Sequence, residues 1–126
     1  MSSLGEIIYS AEKRLPEEIA AKAESHAPRI ESPDVVKPDE EFTVKIVVGP
    51  HPSTEEHSIR WIDVYFSEED RTFNPIHIAR VELGPGYAQP EITLRLRLRK
   101  SGTIYAIAYC NKHGLWESRK GIRVSK

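Results

Sequence analysis

The residues of this chain best equipped for chemistry are its single cysteine and five histidines. Cys110 and His113 stand three positions apart in "AIAYCNKHGLWES", where an apolar strand pattern gives way to a turn. His51 and His57 stand six apart in "HPSTEEH", a proline-containing loop, and His26 lies in "ESHAP". Thiolate and imidazole are good ligands for zinc, copper and iron, so four loop histidines and one cysteine form a candidate metal set. His77 differs: it sits inside the strand pattern "PIHIARV" and reads as a structural or surface residue.

Other uses of the same residues leave different traces. A cysteine nucleophile with a histidine base needs a third group to orient the base, and the sequence identifies none beside Cys110 and His113. Structural zinc sites draw on more thiolates than one. A copper electron-transfer protein of the cupredoxin kind stays open as an alternative. It also pairs an upstream histidine with a late cysteine and histidine, usually with a weak axial methionine. The only methionine here is Met1, but glutamine or a backbone oxygen serves that position too.

These residues must be held by strands. From residue 42 onward apolar residues recur at every second position, as in "FTVKIVVG", "SIRWIDVYFSE", "PIHIARVEL" and "GTIYAIAYC". In "EITLRLRLR", Ile92, Leu94, Leu96 and Leu98 face one way, and Thr93, Arg95, Arg97 and Arg99 the other. With "WESRKGIRVSK" this makes six or seven short strands separated by turn clusters such as "GPHPSTEE" and "LGPGYAQP". Such spacing predicts an all-β fold, an antiparallel β-sandwich. Ahead of it, "LPEEIAAKAES" predicts a short N-terminal helix. Pro16 is suited to its first turn, Glu17 and Glu18 suit the positive end of its dipole, and Leu15, Ile19 and Ala23 share a face. The three prolines of "HAPRIESPDVVKPDE" predict extended loop or edge structure. The expected division is a helical extension and start of the active-site loop over 1–25, then a metal-binding sandwich over 26–126.

Bulk properties narrow the function. The chain has 126 residues, and 18 Lys and Arg against 19 Asp and Glu leave a net charge of −1. This balance gives no electrostatic footprint for nucleic acid or an anionic membrane. The row Arg95, Arg97, Arg99 therefore reads as a solvated strand face. No apolar run approaches the eighteen or so residues of a membrane span. One cysteine makes no intrachain disulfide, and the N-terminus shows no signal-peptide pattern, so a cytoplasmic chain is expected.

"HPSTEEHSIRWIDVYF" and "YCNKHGLWES" closely resemble the metal-binding segments of superoxide reductases, in particular the one-iron class called neelaredoxins, and "ESHAP" resembles that family's Glu-Lys-His-x-Pro loop. The resemblance runs from about residue 24 to the C-terminus and implies an immunoglobulin-like sandwich. Carried over by position, it implies a single iron with His26, His51, His57 and His113 as equatorial ligands and Cys110 as axial thiolate. Glu24 corresponds to a carboxylate that occupies the sixth position in oxidised family members and leaves on reduction. The implied activity is one-electron reduction of superoxide to hydrogen peroxide. The family's lysine beside this glutamate is replaced by Ser25, so Lys112 and Lys22 become the candidate cations for drawing in superoxide. Two-iron relatives carry a four-cysteine iron domain that this chain cannot form, so the resemblance implies a separate electron donor such as rubredoxin. It also implies a homo-oligomer, often a tetramer.

Overall fold

A computed structural model describes residues 2–126. Nine strands and three one-turn helices follow in the order α1 (Leu4–Ile7), β1 (Tyr9–Ser10), α2 (Glu17–Ala20), α3 (Ala23–His26), β2 (Arg29–Glu31), β3 (Val35–Val36), β4 (Phe42–Val47), β5 (Ile59–Glu68), β6 (Ile76–Glu82), β7 (Glu91–Leu96), β8 (Gly102–Cys110) and β9 (Gly114–Val124). One sheet runs β1-β9-β8-β5-β6, with β3 also pairing β9, and a three-stranded sheet runs β2-β4-β7. The expected β-sandwich is therefore present.

Alternation places the core between the sheets. Val44 and Ile46 of β4, Ile62, Val64 and Phe66 of β5, and Ile104, Ala106 and Ala108 of β8 are essentially fully buried. Each large aliphatic or Phe side chain buried this way contributes roughly 1.5–3 kcal/mol relative to exposure. On β7, Ile92 is buried while Arg95 points outward, and the neighbouring Arg97 and Arg99 are exposed with it. Arg95 and Arg97 lie 4.0 and 3.8 Å from Glu41, and Arg99 lies 3.1 Å from Asp39, which is the solvated, charge-paired face the sequence predicts. His77 is half exposed beside Asp63 at 3.3 Å, a surface role as expected. No helix among the described residues is long and apolar enough to cross a membrane.

The predicted helix is interrupted. It forms as two separate turns, α2 and α3, with an i→i+3 bond from Lys22 N–H to Ile19 O at the break. Such tight turns end an α repeat, and a helix this short has little cooperativity of its own. Leu15, Ile19 and Ala23 are nevertheless half-buried together, so the predicted apolar face survives the break. The extended segment after α3 contributes the short strands β2 and β3.

The sheets bring distant parts of the chain to one end. The β8–β9 hairpin pairs Cys110 with Gly114 across the loop 111–113. Gly114, at φ +82°, takes the left-handed conformation that such short hairpin loops require. The loop between β4 and β5 and the turn α3 reach the same end, as the side-chain contacts there establish.

Candidate metal centre

His26 ends α3, His51 and His57 belong to the β4–β5 loop, Cys110 is the last residue of β8, and His113 closes the hairpin loop. Their side chains meet. The Nε2 atom of His26 lies 3.1 Å from Nε2 of His51 and 3.1 Å from Nδ1 of His113. The Cys110 sulfur lies 3.5 Å from Nε2 of His51 and 3.6 Å from Nδ1 of His113. One donor atom each from His26, His51, His57 and Cys110 fits within 4.8 Å of all the others.

The rings form a closed circuit. Neighbouring centroids are 4.6 Å apart for His26–His51, 4.7 Å for His51–His57, 5.0 Å for His57–His113 and 4.9 Å for His113–His26. Across the circuit, His26 and His57 stand 6.4 Å apart with their planes 27° from parallel. Four imidazoles thus surround a common point, and the thiol, fully buried, closes one side.

Hydrogen-bond accounting explains why the inner atoms want a cation. His26 Nδ1 faces the Lys22 carbonyl at 3.0 Å and the Ser25 hydroxyl at 2.8 Å, while His51 Nδ1 faces the Pro52 carbonyl at 2.7 Å. A carbonyl only accepts, so in both rings the proton sits on Nδ1 and the inward Nε2 carries a bare lone pair. Two bare lone pairs 3.1 Å apart repel rather than bond. His57 Nε2 is buried with no hydrogen-bond partner at all, an unusual cost for a native side chain. A transition metal resolves each defect: bonds of about 2.1 Å set adjacent nitrogens about 3 Å apart, and a carbonyl accepting from the outer nitrogen is the usual companion of a metal-bound histidine. The donor set fits a metal.

Burial and neighbouring charge disfavour protonation of His26, His57 and His113. Desolvation is the main cause that drives His26 from the ordinary 6.5 down to about 4; His51, His113 and Lys22 add to it, and the Lys22 carbonyl bond opposes it. His57 and His113 are also lowered, chiefly by burial and then by surrounding histidines and by Lys22 and Lys112. Protons therefore compete weakly for these three rings near neutral pH.

Several residues position the donors. Gly49 precedes His51 at φ +128°, and a Cβ there would lie 2.7 Å from the His51 nitrogen, so only glycine allows this approach. Thr54 closes a turn on His57, accepting its N–H on Oγ1 at 3.0 Å. Asn111 ties the hairpin loop to the β4–β5 loop: Oδ1 accepts the Ser58 N–H at 3.0 Å and Nδ2 donates to Glu56 O at 2.8 Å. The sequence reading missed Asn111 and Thr54; the asparagine inside "CNKH", a turn residue able to bond backbone on two sides, was the available signal.

The remaining predicted site residues fall around this centre. Lys22 and Lys112 line a depression with His113, Trp116, Tyr9 and Glu18, and both lysine charges act on His57 and His113. Ser25 contacts the His26 ring directly, a role the sequence did not suggest. Glu24 is exposed on α3 and lines a different hollow with Arg29 and Pro50; it is not among the converging donors.

A family model described as Desulfoferrodoxin matches residues 18–119. The superoxide reductase of Thermococcus kodakarensis is 41% identical over 106 residues, covering 77% of this chain and 86% of that protein. The neelaredoxin of Megalodesulfovibrio gigas is 36% identical over 116 residues, covering 80% and 88%. Among solved structures, a superoxide reductase (neelaredoxin) from Ignicoccus hospitalis is 54% identical with a TM-score of 0.92, covering 98% of this chain and 100% of that one.

Proposed function

This chain belongs to the desulfoferrodoxin family, and from that membership we infer its chemistry: it is a superoxide reductase, an oxidoreductase whose cofactor is iron. The observation that carries the reading is the convergence of His26, His51, His57 and Cys110 donor atoms within 4.8 Å of one another, with His113 Nδ1 3.1 Å from His26 Nε2 and 3.6 Å from the Cys110 sulfur. Held there, iron would supply the one-electron chemistry between superoxide and an electron donor. The balance is O2•− + e− + 2H+ → H2O2.

The chain's own residues set the conditions for this transfer. In our reading His26, His51, His57, His113 and Cys110 would hold the iron, four through imidazole nitrogen and one through thiolate sulfur. Four neutral imidazoles leave the ligand set with only the charge of one thiolate, so a divalent metal there stays net positive and attracts a small anion. Lys22 and Lys112 add positive potential on the side of His113 and draw the anion in. The buried Cys110 thiolate would donate electron density to the metal and tune its potential. Ser25 and the Lys22 carbonyl hold the proton on His26 Nδ1, which keeps Nε2 free to ligate. Glu24, two residues ahead of His26 on the same turn, would serve as a further, reversible ligand. A copper electron-transfer site would take two imidazoles and a thiolate; four inward nitrogens match it less well.

The electron donor we assign is a separate protein of the rubredoxin kind. We further assign a cytoplasmic setting, a homo-oligomer with the tetramer as the family pattern, and a division into an N-terminal extension over 1–25 and a metal-binding sandwich over 26–126.

The test is a stoichiometry. Protein loaded anaerobically with ferrous iron receives known amounts of superoxide while metal oxidation, peroxide and dioxygen are followed together. One metal oxidised and one peroxide formed per superoxide, without dioxygen, is expected. Dioxygen released at half the superoxide consumed would replace the reductase with a dismutase, and failure to hold iron would reopen the copper reading.

A further inference from the structure

The family match begins at residue 18, yet the segment before it is bound to the main sheet. β1 pairs in parallel with β9, placing Tyr9 opposite Trp116 and Ser10 opposite Glu117. Ile8 and Ser10 are buried, and Glu12 pairs with Arg119 of β9 at 2.8 Å. The arm is docked along the strand that follows His113.

Its aromatic residue meets the metal centre through one other. The Tyr9 ring lies 5.0 Å from the Trp116 indole and also covers Gly114, where a Cβ would stand 3.5 Å from Tyr9 Cε2. Trp116 is 1% exposed. Its ring lies 5.5 Å from His26, and its Nε1–H donates to the His113 carbonyl at 3.0 Å. A single indole therefore touches both chain segments that carry His26 and His113, which are 87 residues apart in sequence. A buried indole N–H needs its acceptor, so the bond fixes the His113 backbone relative to the ring that packs on His26.

Resting on the metal-centre reading above, we propose that Trp116 is a positioning residue for His26 and His113 and that the N-terminal arm seats it through Tyr9. The arm thereby acts on the ligand geometry although none of its residues is a ligand. Tyr9 contributes its ring, tilted 44° to the indole. Outer partners of metal ligands of this kind typically govern affinity by about 10–100-fold.

The experiment uses the full chain with cobalt(II) as the probe, reading the thiolate-to-cobalt absorption band, the rate of cobalt release to a chelator, and the thermal melt of each variant. Trp116→Phe keeps a ring against His26 but loses the bond to His113; a shifted band and release about tenfold faster are expected. Tyr9→Leu should move both in the same direction by less, and Tyr9→Phe should behave as the unmodified chain. Should Trp116→Phe fail to fold, the Tyr9 pair decides alone. Wild-type band and release in Tyr9→Leu, or release rates that merely follow the melting temperatures, would overturn the proposal. Absence of any thiolate–cobalt band in the unmodified chain would instead overturn the metal-centre reading beneath it.

Discussion

The Asn111 carboxamide oxygen accepts the Ser58 backbone N–H at 3.0 Å, across 53 residues of chain. The bond spans the two segments that carry the metal donors, with His57 just before Ser58 and Cys110 just before Asn111. One amide side chain thus sets the distance between a ring and a sulfur that have no covalent reason to be close.

Asn111→Ala removes this tie and leaves the Ser58 N–H and the Glu56 carbonyl to find other partners. A loss of about 1–3 kcal/mol in stability is expected from the buried donor, with faster metal release than in the parent. Chemical denaturation and chelator kinetics check the two parts separately.

Lys22→Gln and Lys112→Gln each remove a positive charge that reaches His57 and His113. Each should lower the second-order rate with superoxide and flatten its dependence on ionic strength, because steering of an anion is screened by salt. Ser25→Lys should do the reverse, raising the rate and steepening the salt dependence. Pulse radiolysis over a salt series reads both; rates indifferent to all three changes would remove the steering role.

Glu24→Ala should leave superoxide reduction largely intact while altering the visible spectrum of the ferric protein. The carboxylate stands outside the converging donors, so its removal leaves the imidazole and thiolate set whole. An unchanged ferric spectrum would count against ligation.

The metal-free protein should lose stability as pH falls. His26 takes a proton near 6.5 when unfolded but only near 4 in the fold, mainly because burial disfavours its charged form. Between those values the unfolded chain binds one more proton, so stability is full above about 6.5 and falls as pH drops towards 4. The loss from this one group amounts to about 3 kcal/mol across the window. Urea midpoints of the metal-free chain at several pH values measure it.

Much of this protein is readable along the chain. Alternation in "EITLRLRLR" and its neighbours is a local signal, since a strand's two faces follow from period two alone. The strands, the solvated arginine row and the surface place of His77 could all be stated before any coordinates. The spacing of "HPSTEEH" and "CNKH" marked a metal set in the same way, because thiol and imidazole types at loops carry their chemistry with them.

Other features depend on contacts far apart in sequence. The break between α2 and α3 interrupts the helix while its apolar face stays half-buried, because turns this short are shaped by what their ends must reach. Which ring nitrogen faces inward is decided by the carbonyls of Lys22 and Pro52 and not by residue type. The seat of Tyr9 on Trp116 follows from the parallel pairing of β1 with β9, and the placing of Glu24 outside the donor cluster from the orientation of one helical turn. The sequence by itself determined the strands and the donor types, which are properties of neighbours in the chain. The tertiary structure alone decided how those donors converge, because convergence requires strand pairing and side-chain hydrogen bonds between residues that have no local reason to meet.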